Sequence, residues 1–148
     1  MPYKKNPLRV GVIGCGWFAQ AVHLPILRRL SGVELAAFAE PEPSRRQAAS
    51  RCVPAAVGHA DYRDLLKMRN LDVVIVTVPT ALHAEVAIAA MQEGKHVYLE
   101  KPIATSLEEA HKVVSVWKRS GLVGMVGFNY RFNGLFQAAQ IQLQVGRL

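Results

Sequence analysis

The sequence predicts an α/β fold, a doubly wound parallel sheet with flanking helices, and three observations predict it. Short β-branched runs alternate with longer segments of helical spacing over the 148 residues, as in strands joined by crossover helices. The runs are apolar with little polar alternation, which indicates strands covered on both faces. A glycine-rich turn follows the first run and precedes the first helix. At this length we expect one main domain.

Five apolar runs are predicted to be strands, and a sixth run is weaker. The clear strands are residues 9–14, 33–39, 72–78, 96–100 and 122–128, and the weaker candidate is 53–58. Helical spacing predicts helices over residues 17–31, 43–51, 61–68, 81–93, 106–119 and 133–145. Open sheets of this kind bind ligands at the carboxyl ends of their strands, so residues that follow the apolar runs are candidates for a site.

Two of the predicted helices carry signals at their starts. Thr80 is the expected N-cap of the fourth helix. Thr105 and Ser106 are each followed three residues later by a glutamate, so either pair can form a capping box for the fifth helix. Trp117 falls on the apolar face of this fifth helix together with Leu107, and we therefore expect its ring to lie in the core.

The histidines do not form a metal-binding pattern. His59, His96 and His111 lack the spacing that is typical of metal ligands, so we predict no metal site. Pro25 is expected to kink or interrupt the first helix. We therefore assign the nearby His23 to a structural corner.

Composition and charge exclude several classes of protein. Hydrophobic residues make up 51% and charged residues 20% of the chain, no run approaches the roughly 18 apolar residues of a membrane span, and the N-terminus lacks a signal-peptide pattern. We expect a cytoplasmic protein with no membrane partner. A net charge of +7 and a pI of 9.8 would suit an anionic partner. The basic residues are dispersed in pairs, however, which makes nucleic-acid binding only a remote alternative.

Cysteine chemistry is not indicated either. Cys15 and Cys52 are too few for a disulfide framework and lack a C-x-x-C spacing, which fits a reducing compartment. Cys15 lies beside the glycine-rich turn and could be a nucleophile, but no histidine is assigned as its partner. We expect Cys15 to be a small packing residue.

The glycine-rich turn matches the G-x-G-x-x-G/A pattern of a dinucleotide-binding fold, the Rossmann fold. Gly14, Gly16 and Ala19 occupy its three positions. Gly14 allows the tight turn, Gly16 lets the backbone approach a pyrophosphate, and Ala19 keeps the helix close to the strand. Trp17 and Phe18 lie between them at the helix N-terminus, where N–H groups attract phosphates. These five residues are predicted to bind the cofactor.

An acidic residue stands at the end of the second strand, where such folds bind the adenosine ribose. Glu40 lies about 20 residues beyond the turn, and its carboxylate would repel a 2′-phosphate, so NAD is favoured over NADP. Arg45 and Arg46 follow closely, and an arginine there could accommodate that phosphate. We predict Glu40 and Arg45 as cofactor contacts, with NAD as the cofactor and NADP as the alternative.

Three segments together resemble a known family. They run from "RVGVIGCGWFAQAVHLPIL" through "DVVIVTVPTALHAEVAIAAMQEGKHVYLEKPIATSLEEA" to "GFNYRFN". In order and spacing they resemble the N-terminal half of the Gfo/Idh/MocA family of NAD(P)-dependent oxidoreductases, which includes sugar and inositol dehydrogenases. The "EKP" at the end of a strand is the most specific piece.

The resemblance implies roles for individual residues. Lys101 of "EKP" would lie beside the nicotinamide and assist proton transfer at a substrate hydroxyl or carbonyl, which makes it the predicted catalytic residue. A hydride that leaves or reaches a carbinol carbon requires a proton to move at the oxygen of that carbon, and a lysine can accept or return it. Glu100 would orient Lys101, and a cis Lys101–Pro102 bond would aim the side chain.

Further positions resemble the nicotinamide end of the family's site. Pro79, Thr80 and His83 resemble the segment beneath the nicotinamide, although many relatives have asparagine where Thr80 stands. Tyr130 and Arg131 resemble the pair near the entrance to the substrate side. We include Pro79, Thr80, His83, Glu100, Lys101 and Arg131 among the predicted cofactor contacts. For His83 a surface role is an equal alternative.

The resemblance also predicts the domain organisation. Residues 1–128 would form the dinucleotide-binding domain, and 129–148 the linker and first helix of a second, substrate-binding α+β domain that is largely absent from this chain. The expected activity is hydride transfer between a nicotinamide and a small polyol or sugar-like substrate. A non-catalytic dinucleotide-binding module is the alternative. Because the last predicted helix is rich in apolar residues, we expect pairing with a second copy or disorder at this end.

Overall fold

Six parallel strands form a single sheet in this computed structural model, which describes residues 7–146. The strands are β1 (Leu8–Ile13), β2 (Val33–Ala39), β3 (Val57–His59), β4 (Val73–Val76), β5 (His96–Leu99) and β6 (Gly124–Val126). Their order across the sheet is β3-β2-β1-β4-β5-β6. The chain therefore reverses its direction of winding between β1 and β4, and the cleft at such a switch point is where doubly wound folds bind ligands.

Helices cover both faces of the sheet. They are α1 (Leu24–Leu27), α2 (Pro43–Cys52), α3 (Tyr62–Leu66), α4 (His83–Gln92), α5 (Leu107–Ser120) and α6 (Gly134–Gln144). Short 3-10 turns at Thr80–Leu82 and Asn129–Phe132 precede α4 and α6. This confirms the predicted fold class.

The core consists of one apolar cluster on each face of the sheet. Val74 and Val76 of β4 point to the face covered by α3, α4 and α5, whereas Ile75 between them points to the face covered by α1 and α2. Phe38 of β2 is fully buried on the second face. Because both faces are covered, the strands carry the continuous apolar runs seen in the sequence.

The weakest predicted strand is present but displaced. Residues 53–58 were expected to form it, whereas β3 is Val57–His59. Pro54 lacks the N–H that a ladder requires, so pairing with β2 begins only beyond it. The strands β4 and β6 are shorter than expected. Strands were predicted over residues 72–78 and 122–128, whereas β4 has four residues and β6 has three.

The start of α4 differs from the prediction. Thr80 is not its N-cap, because the chain first makes a 3-10 turn in which the Leu82 N–H donates to the carbonyl of Pro79 at 2.8 Å. The α-helix begins at His83 with no side-chain cap. Leu82, on this turn, is therefore exposed.

The prediction for Trp117 is also wrong. Its side chain is 38% exposed, and Val113 is the buried residue of α5. Trp117 covers Gly124 of the short edge strand and its indole N–H donates to the carbonyl of Leu122 at 2.8 Å. Leu107 is 79% exposed. Because β6 has only three residues, the edge of the sheet leaves this side of α5 uncovered.

The first helix is interrupted as Pro25 predicts. It spans residues 17–27, and its middle section, Ala19–His23, is a π-helical turn in which the Leu24 N–H donates to the carbonyl of Ala19. Proline has no N–H to continue the α-helical pattern. Such π-turns change which face of the helix the following side chains occupy.

The last helix lies against little else. Helix α6 has no buried residue among those described, and Leu135, Phe136 and Leu143 are each more than half exposed. No described helix combines the length and hydropathy that a membrane crossing needs. The outer ends of the two predicted domains, residues 1–6 and 147–148, lie outside the described residues.

Candidate functional site

A cleft of about 720 Å³ opens at the carboxyl ends of the strands, between the loops that follow β1 and β4. Its walls come from the glycine-rich turn, the end of β2, the start of α3 and the loop after β4. From the predicted site they include Gly14, Gly16, Trp17, Phe18, Ala19, Glu40, Arg45 and Pro79. The cleft lies at the switch point of the sheet, where doubly wound folds bind ligands.

Gly14 permits the close crossing of two loops. Its φ of +89° lies in the region that favours glycine, and a Cβ there would be 2.8 Å from the backbone of Thr77. The hydroxyl of Thr77 donates to the carbonyl of Gly14 at 2.6 Å. The turn after β1 is thereby held against the end of β4.

Gly16 leaves space in the wall of the cleft. A Cβ at this position would meet no atom within 4 Å, so the packing of the protein does not itself require glycine here. The helix begins immediately after it, and N–H groups in a first helical turn have no carbonyl partner within the helix. Ala19 is buried against the sheet and brings this helix end close to β1. Together these features form a cradle for an anionic group.

Glu40 is buried and helps to build the turn. Its carboxylate accepts the N–H of Cys15 at 2.7 Å and the N–H of Glu42 at 3.1 Å, and its side chain is 5% exposed. A carboxylate has about four acceptor positions, so the carboxylate of Glu40, which lines the cleft, can accept further hydrogen bonds. Glu40 therefore joins the turn after β1 to the turn after β2.

The two arginines on α2 have different surroundings. Arg46 donates to the carbonyls of Glu40 and Pro41, at 2.7 and 3.0 Å, and so closes the turn before the helix. Arg45 lies on the wall of the cleft with its side chain 54% exposed, and its Nε is 3.8 Å from a carboxylate oxygen of Glu40. Only Arg45 of the pair lines the cleft.

The thiol next to the glycine turn is fully buried. Burial, and to a lesser extent the negative charge of Glu40, raises the pKa of Cys15 to about 12. A thiol in this state is not a nucleophile at neutral pH. The expectation that Cys15 is a packing residue agrees with this burial.

A second, smaller cavity of about 290 Å³ lies beside the end of β5. Glu100 and Lys101 line it, and Lys101 is exposed. The peptide bond between Lys101 and Pro102 is cis, as expected from the sequence. Phe18 lines both cavities, so the two share a wall.

His83 is buried rather than exposed, which excludes the surface alternative. Its side chain is 2% exposed, with Nδ1 at 2.6 Å from the carbonyl oxygen of Pro102 and Nε2 at 2.9 Å from that of Val78. One imidazole therefore links the loop after β4 to the loop after β5. Among the described residues it does not line the larger cleft.

Two other predicted contacts lie apart from the cavity walls. Thr80 is partly buried on the 3-10 turn after Pro79, and the walls of the larger cleft include Pro79 but not Thr80. Arg131 lies on the exposed turn before α6, and the described walls of the two cavities do not include it.

Sequence reasoning assigned His23 to a structural corner and missed its partner. The imidazole Nε2 lies 2.9 Å from a carboxylate oxygen of Glu100, and both side chains are largely buried. The only signal in the sequence is a polar residue within the apolar stretch "AVHLPIL". The partner is 77 residues away in the chain, and no local pattern identifies it.

A polar group on the opposite wall of the cleft was also missed. The hydroxyl of Tyr62 donates to the carboxylate of Glu85 at 2.7 Å, and the guanidinium of Arg63 lies 4.6 Å from the centre of the tyrosine ring. Burial, and then the hydrogen bond with Glu85, raises the pKa of Tyr62 to about 12. No motif in the sequence marks these residues.

A metal centre has no support in the part of the chain that the structure describes. No group of three or more His, Cys, Asp or Glu side chains there could hold a metal ion.

Comparisons with known proteins agree with this geometry. The family model of oxidoreductases with an NAD-binding Rossmann fold matches residues 8–128. A 4-carboxy-2-hydroxymuconate-6-semialdehyde dehydrogenase from Sphingobium sp. is 33% identical over 95% of this chain and 44% of its own length. An inositol 2-dehydrogenase from Salmonella typhimurium is 30% identical over 85% of this chain and 38% of its own length.

Solved structures show the same relationship. A 3-ketoreductase from Actinomadura kijaniata, in complex with TDP-benzene and NADP, has a TM-score of 0.85 at 32% identity, covering 95% of this chain and 44% of that one. The chain thus spans less than half the length of these relatives. The family match itself covers most of the chain. The resemblance seen in the motifs is therefore confirmed, and this chain belongs to the Gfo/Idh/MocA oxidoreductases, whose NAD-binding Rossmann domain it contains.

Proposed function

We propose that the cleft binds a nicotinamide dinucleotide and that the protein is an oxidoreductase of the sugar or inositol dehydrogenase type. It would transfer a hydride between the nicotinamide and a hydroxyl or carbonyl of a small polyol or sugar-like substrate. The observation that carries the proposal is the space at Gly16, which opens into the cleft at a helix N-terminus. Glu100, Lys101 and Pro102, together called the Lys101 corner, follow the end of β5, which is the strand next to β4 in the sheet.

The residues of the cleft fit such a cofactor. Gly14 holds the turn in place, Gly16 leaves the space that a pyrophosphate would occupy, and the helix end provides N–H donors. Trp17 and Phe18 form part of the same wall, and Glu40 has acceptor capacity left for ribose hydroxyls. The bound nicotinamide would supply the hydride acceptor or donor.

The chain's own catalytic contribution would come from Lys101. When a hydroxyl is oxidised, the proton on its oxygen must leave as the hydride leaves the carbon, and a lysine amine can accept it; in the reverse direction the ammonium returns it. Lys101 is exposed and lines the smaller cavity, so its amine is accessible to a substrate there. Glu100 and Pro102, with His83 behind them, would hold the backbone of the lysine.

NAD is the preferred cofactor in this proposal. The buried carboxylate of Glu40 would repel a 2′-phosphate. Of the two arginines Arg45 and Arg46, Arg45 lines the cleft and could attract that phosphate. We expect NAD to bind more tightly than NADP. Arg45→Ala should weaken NADP binding more than NAD binding, and Arg46→Ala should instead lower stability. Tighter binding of NADP in the unaltered protein would contradict the preference.

The rest of the proposal concerns the whole protein. Residues 129–148 would begin a substrate-binding domain, since the family match ends at residue 128 and α6 leaves its apolar side chains exposed. The substrate class is supported by relatives that are an inositol dehydrogenase and a ketoreductase. A cytoplasmic location is supported by two cysteines that are both unpaired.

Binding can be measured by tryptophan fluorescence. Trp17 is 79% exposed on the wall of the cleft, while Trp117 lies on α5 away from it. Titration with NAD should quench the emission of the protein. Trp17→Phe should abolish most of the change, and the matched variant Trp117→Phe should keep it. Absence of any binding at millimolar NAD and NADP would refute the proposal.

Turnover separates the enzyme from a non-catalytic binding module. NAD reduction is followed by the ultraviolet absorbance of the reduced nicotinamide, with a panel of polyols and sugars as substrates. Lys101→Ala should lower any turnover by about 100-fold or more, the usual contribution of a general acid–base group, and should change NAD affinity much less than turnover. Lys118→Ala, on the exposed face of α5, is the matched control. Turnover that Lys101→Ala leaves unaltered would contradict the role of this residue.

A further inference from the structure

Among the described residues the carboxylate of Glu100 makes two hydrogen bonds, and neither of them is to the amine of Lys101. One carboxylate oxygen lies 2.9 Å from Nε2 of His23, and the other accepts the backbone N–H of Lys101 at 3.1 Å. The Glu100 N–H in turn donates to the carbonyl of Val76 at 3.0 Å. The carboxylate therefore connects a helix on one face of the sheet to the backbone of the predicted catalytic residue.

The position of His23 is restricted on several sides. Its ring lies edge-on to Phe18, with centroids 5.2 Å apart, and edge-on to Tyr98, with centroids 5.7 Å apart. The side chains of His23 and Glu100 are 13% and 12% exposed. A largely buried carboxylate that lost its donor would be costly, so this hydrogen bond is expected to be maintained.

The local backbone explains how His23 reaches Glu100. It is the last residue of the π-helical turn Ala19–His23, which inserts an extra residue before α1. This shifts the direction of the side chains at the end of the turn, and single π-turns are frequent at functional sites. The end of β6 approaches from the other side, where a Cβ on Gly127 would lie 3.2 Å from the carboxylate of Glu100. The pair is thus enclosed by β5, β6 and the first helix.

We infer that His23 is a positioning residue for the Lys101 corner. By donating from Nε2 to Glu100, it fixes the carboxylate that holds the backbone N–H of Lys101. It lies next to Phe18, which lines both cavities, and so joins the helix that follows the glycine turn to the proton-transfer corner. The significance for catalysis rests on the proposed function, whereas the hydrogen-bond linkage does not.

Nuclear magnetic resonance on the 15N-labelled 148-residue chain tests the linkage. In the unaltered protein, long-range 1H–15N spectra should show a proton on Nε2 of His23. In His23→Leu the amide of Lys101 should shift and exchange with solvent about tenfold faster, as expected for loss of one hydrogen bond to a charged acceptor. His23→Gln, which retains an N–H donor, should restore slow exchange to within about twofold of the unaltered protein. His111→Leu, on the exposed face of α5, is the control and should change neither signal.

Two results would overturn the inference. An Nε2 of His23 that carries no proton in the unaltered protein would overturn the inference. This result needs no variant, so it counts even if His23→Leu fails to fold. The inference would also be overturned if His23→Leu folds and the amide hydrogen of Lys101 exchanges with solvent at the same rate as in the unaltered protein. NAD affinity of His23→Leu should remain within about twofold, because His23 does not line the larger cleft. Absence of NAD binding by the unaltered protein would instead count against the proposed function, so the two failures are distinguishable.

Discussion

At the scale of residues, Glu40 combines a structural task with a predicted binding task. Its carboxylate holds the N–H groups of Cys15 and Glu42, so it maintains the shape of the glycine turn before any ligand is present. The distance along the chain from the glycine-rich turn predicts an acidic residue at this position, but it does not predict these two hydrogen bonds. Sequence patterns give the chemical type of a residue and leave its hydrogen-bond partners open.

The buried thiol gives a prediction at this scale. Cys15 should resist a thiol reagent such as DTNB at pH 8, because it is fully buried and its pKa is raised to about 12. Cys52 is partly exposed and should react. One thiol should therefore be titrated in the native protein and two in the unfolded protein. Fast reaction of both thiols in the native state would contradict the structure.

The raised pKa also predicts a pH dependence of stability. In the unfolded chain the thiol ionises near its ordinary pKa of 9.0, whereas the folded protein keeps it neutral to about 12. The contribution of the neutral Cys15 thiol to the free energy of unfolding is therefore complete below about pH 9, and it decreases as the pH rises toward 12. The difference in unfolding free energy between the unaltered protein and Cys15→Ala, measured by urea denaturation, should become smaller over this range. A difference independent of pH would contradict the assignment.

At the scale of elements, the end of the sheet opposite the cleft is held by a buried lysine. The ammonium of Lys95, just before β5, donates to the carbonyls of Met68 and Leu71 at 2.8 and 3.1 Å, and the residue is 5% exposed. These carbonyls belong to the connection between α3 and β4. The lysine therefore adds a donor to a connection that is otherwise held by the N–H of Leu71 on the carbonyl of Met68, at 3.2 Å.

Loss of that ammonium should affect stability and not binding. Lys95→Met retains the apolar stem but removes the ammonium from both carbonyls, of which that of Met68 keeps the N–H of Leu71 at 3.2 Å, so the free energy of unfolding should fall by about 1–3 kcal/mol. Urea denaturation measures this change, with the exposed Lys67→Met as the control. NAD affinity should be unaltered because the site lies at the other end of the strands. A large loss of affinity with unaltered stability would contradict this separation.

Predictability from sequence differs between elements for physical reasons. β2 was predicted at 33–39, the residues that it occupies, because its apolar run ends at polar turns. The start of α4 and the face of α5 were wrong, since a 3-10 turn and a short edge strand depend on neighbours that periodicity does not describe. The link between His23 and Glu100 joins two distant segments, which only the folded sheet brings together.

At the scale of the whole molecule, α6 is the least integrated part. Its large exposed apolar side chains are those of Leu135, Phe136, Ile141 and Leu143. A surface of this kind associates readily in water. We expect the 148-residue chain to form dimers or larger species as its concentration rises, measured by sedimentation velocity. Phe136→Glu should reduce the association and Leu107→Glu, at an isolated exposed site on α5, should not. A chain that remains monomeric at high concentration would contradict this prediction.

The central claim is that the cleft beside Gly16 binds a nicotinamide dinucleotide, and a pair of glycine variants tests it most directly. A Cβ at Gly16 or at Gly134 would meet no atom within 4 Å, so Gly16→Ala and Gly134→Ala should both fold with nearly unaltered stability. Isothermal titration calorimetry with NAD should show one site in the unaltered protein and in Gly134→Ala. In Gly16→Ala the affinity should fall at least tenfold, because the methyl group occupies the space of the pyrophosphate. Equal affinity in all three proteins would contradict the claim.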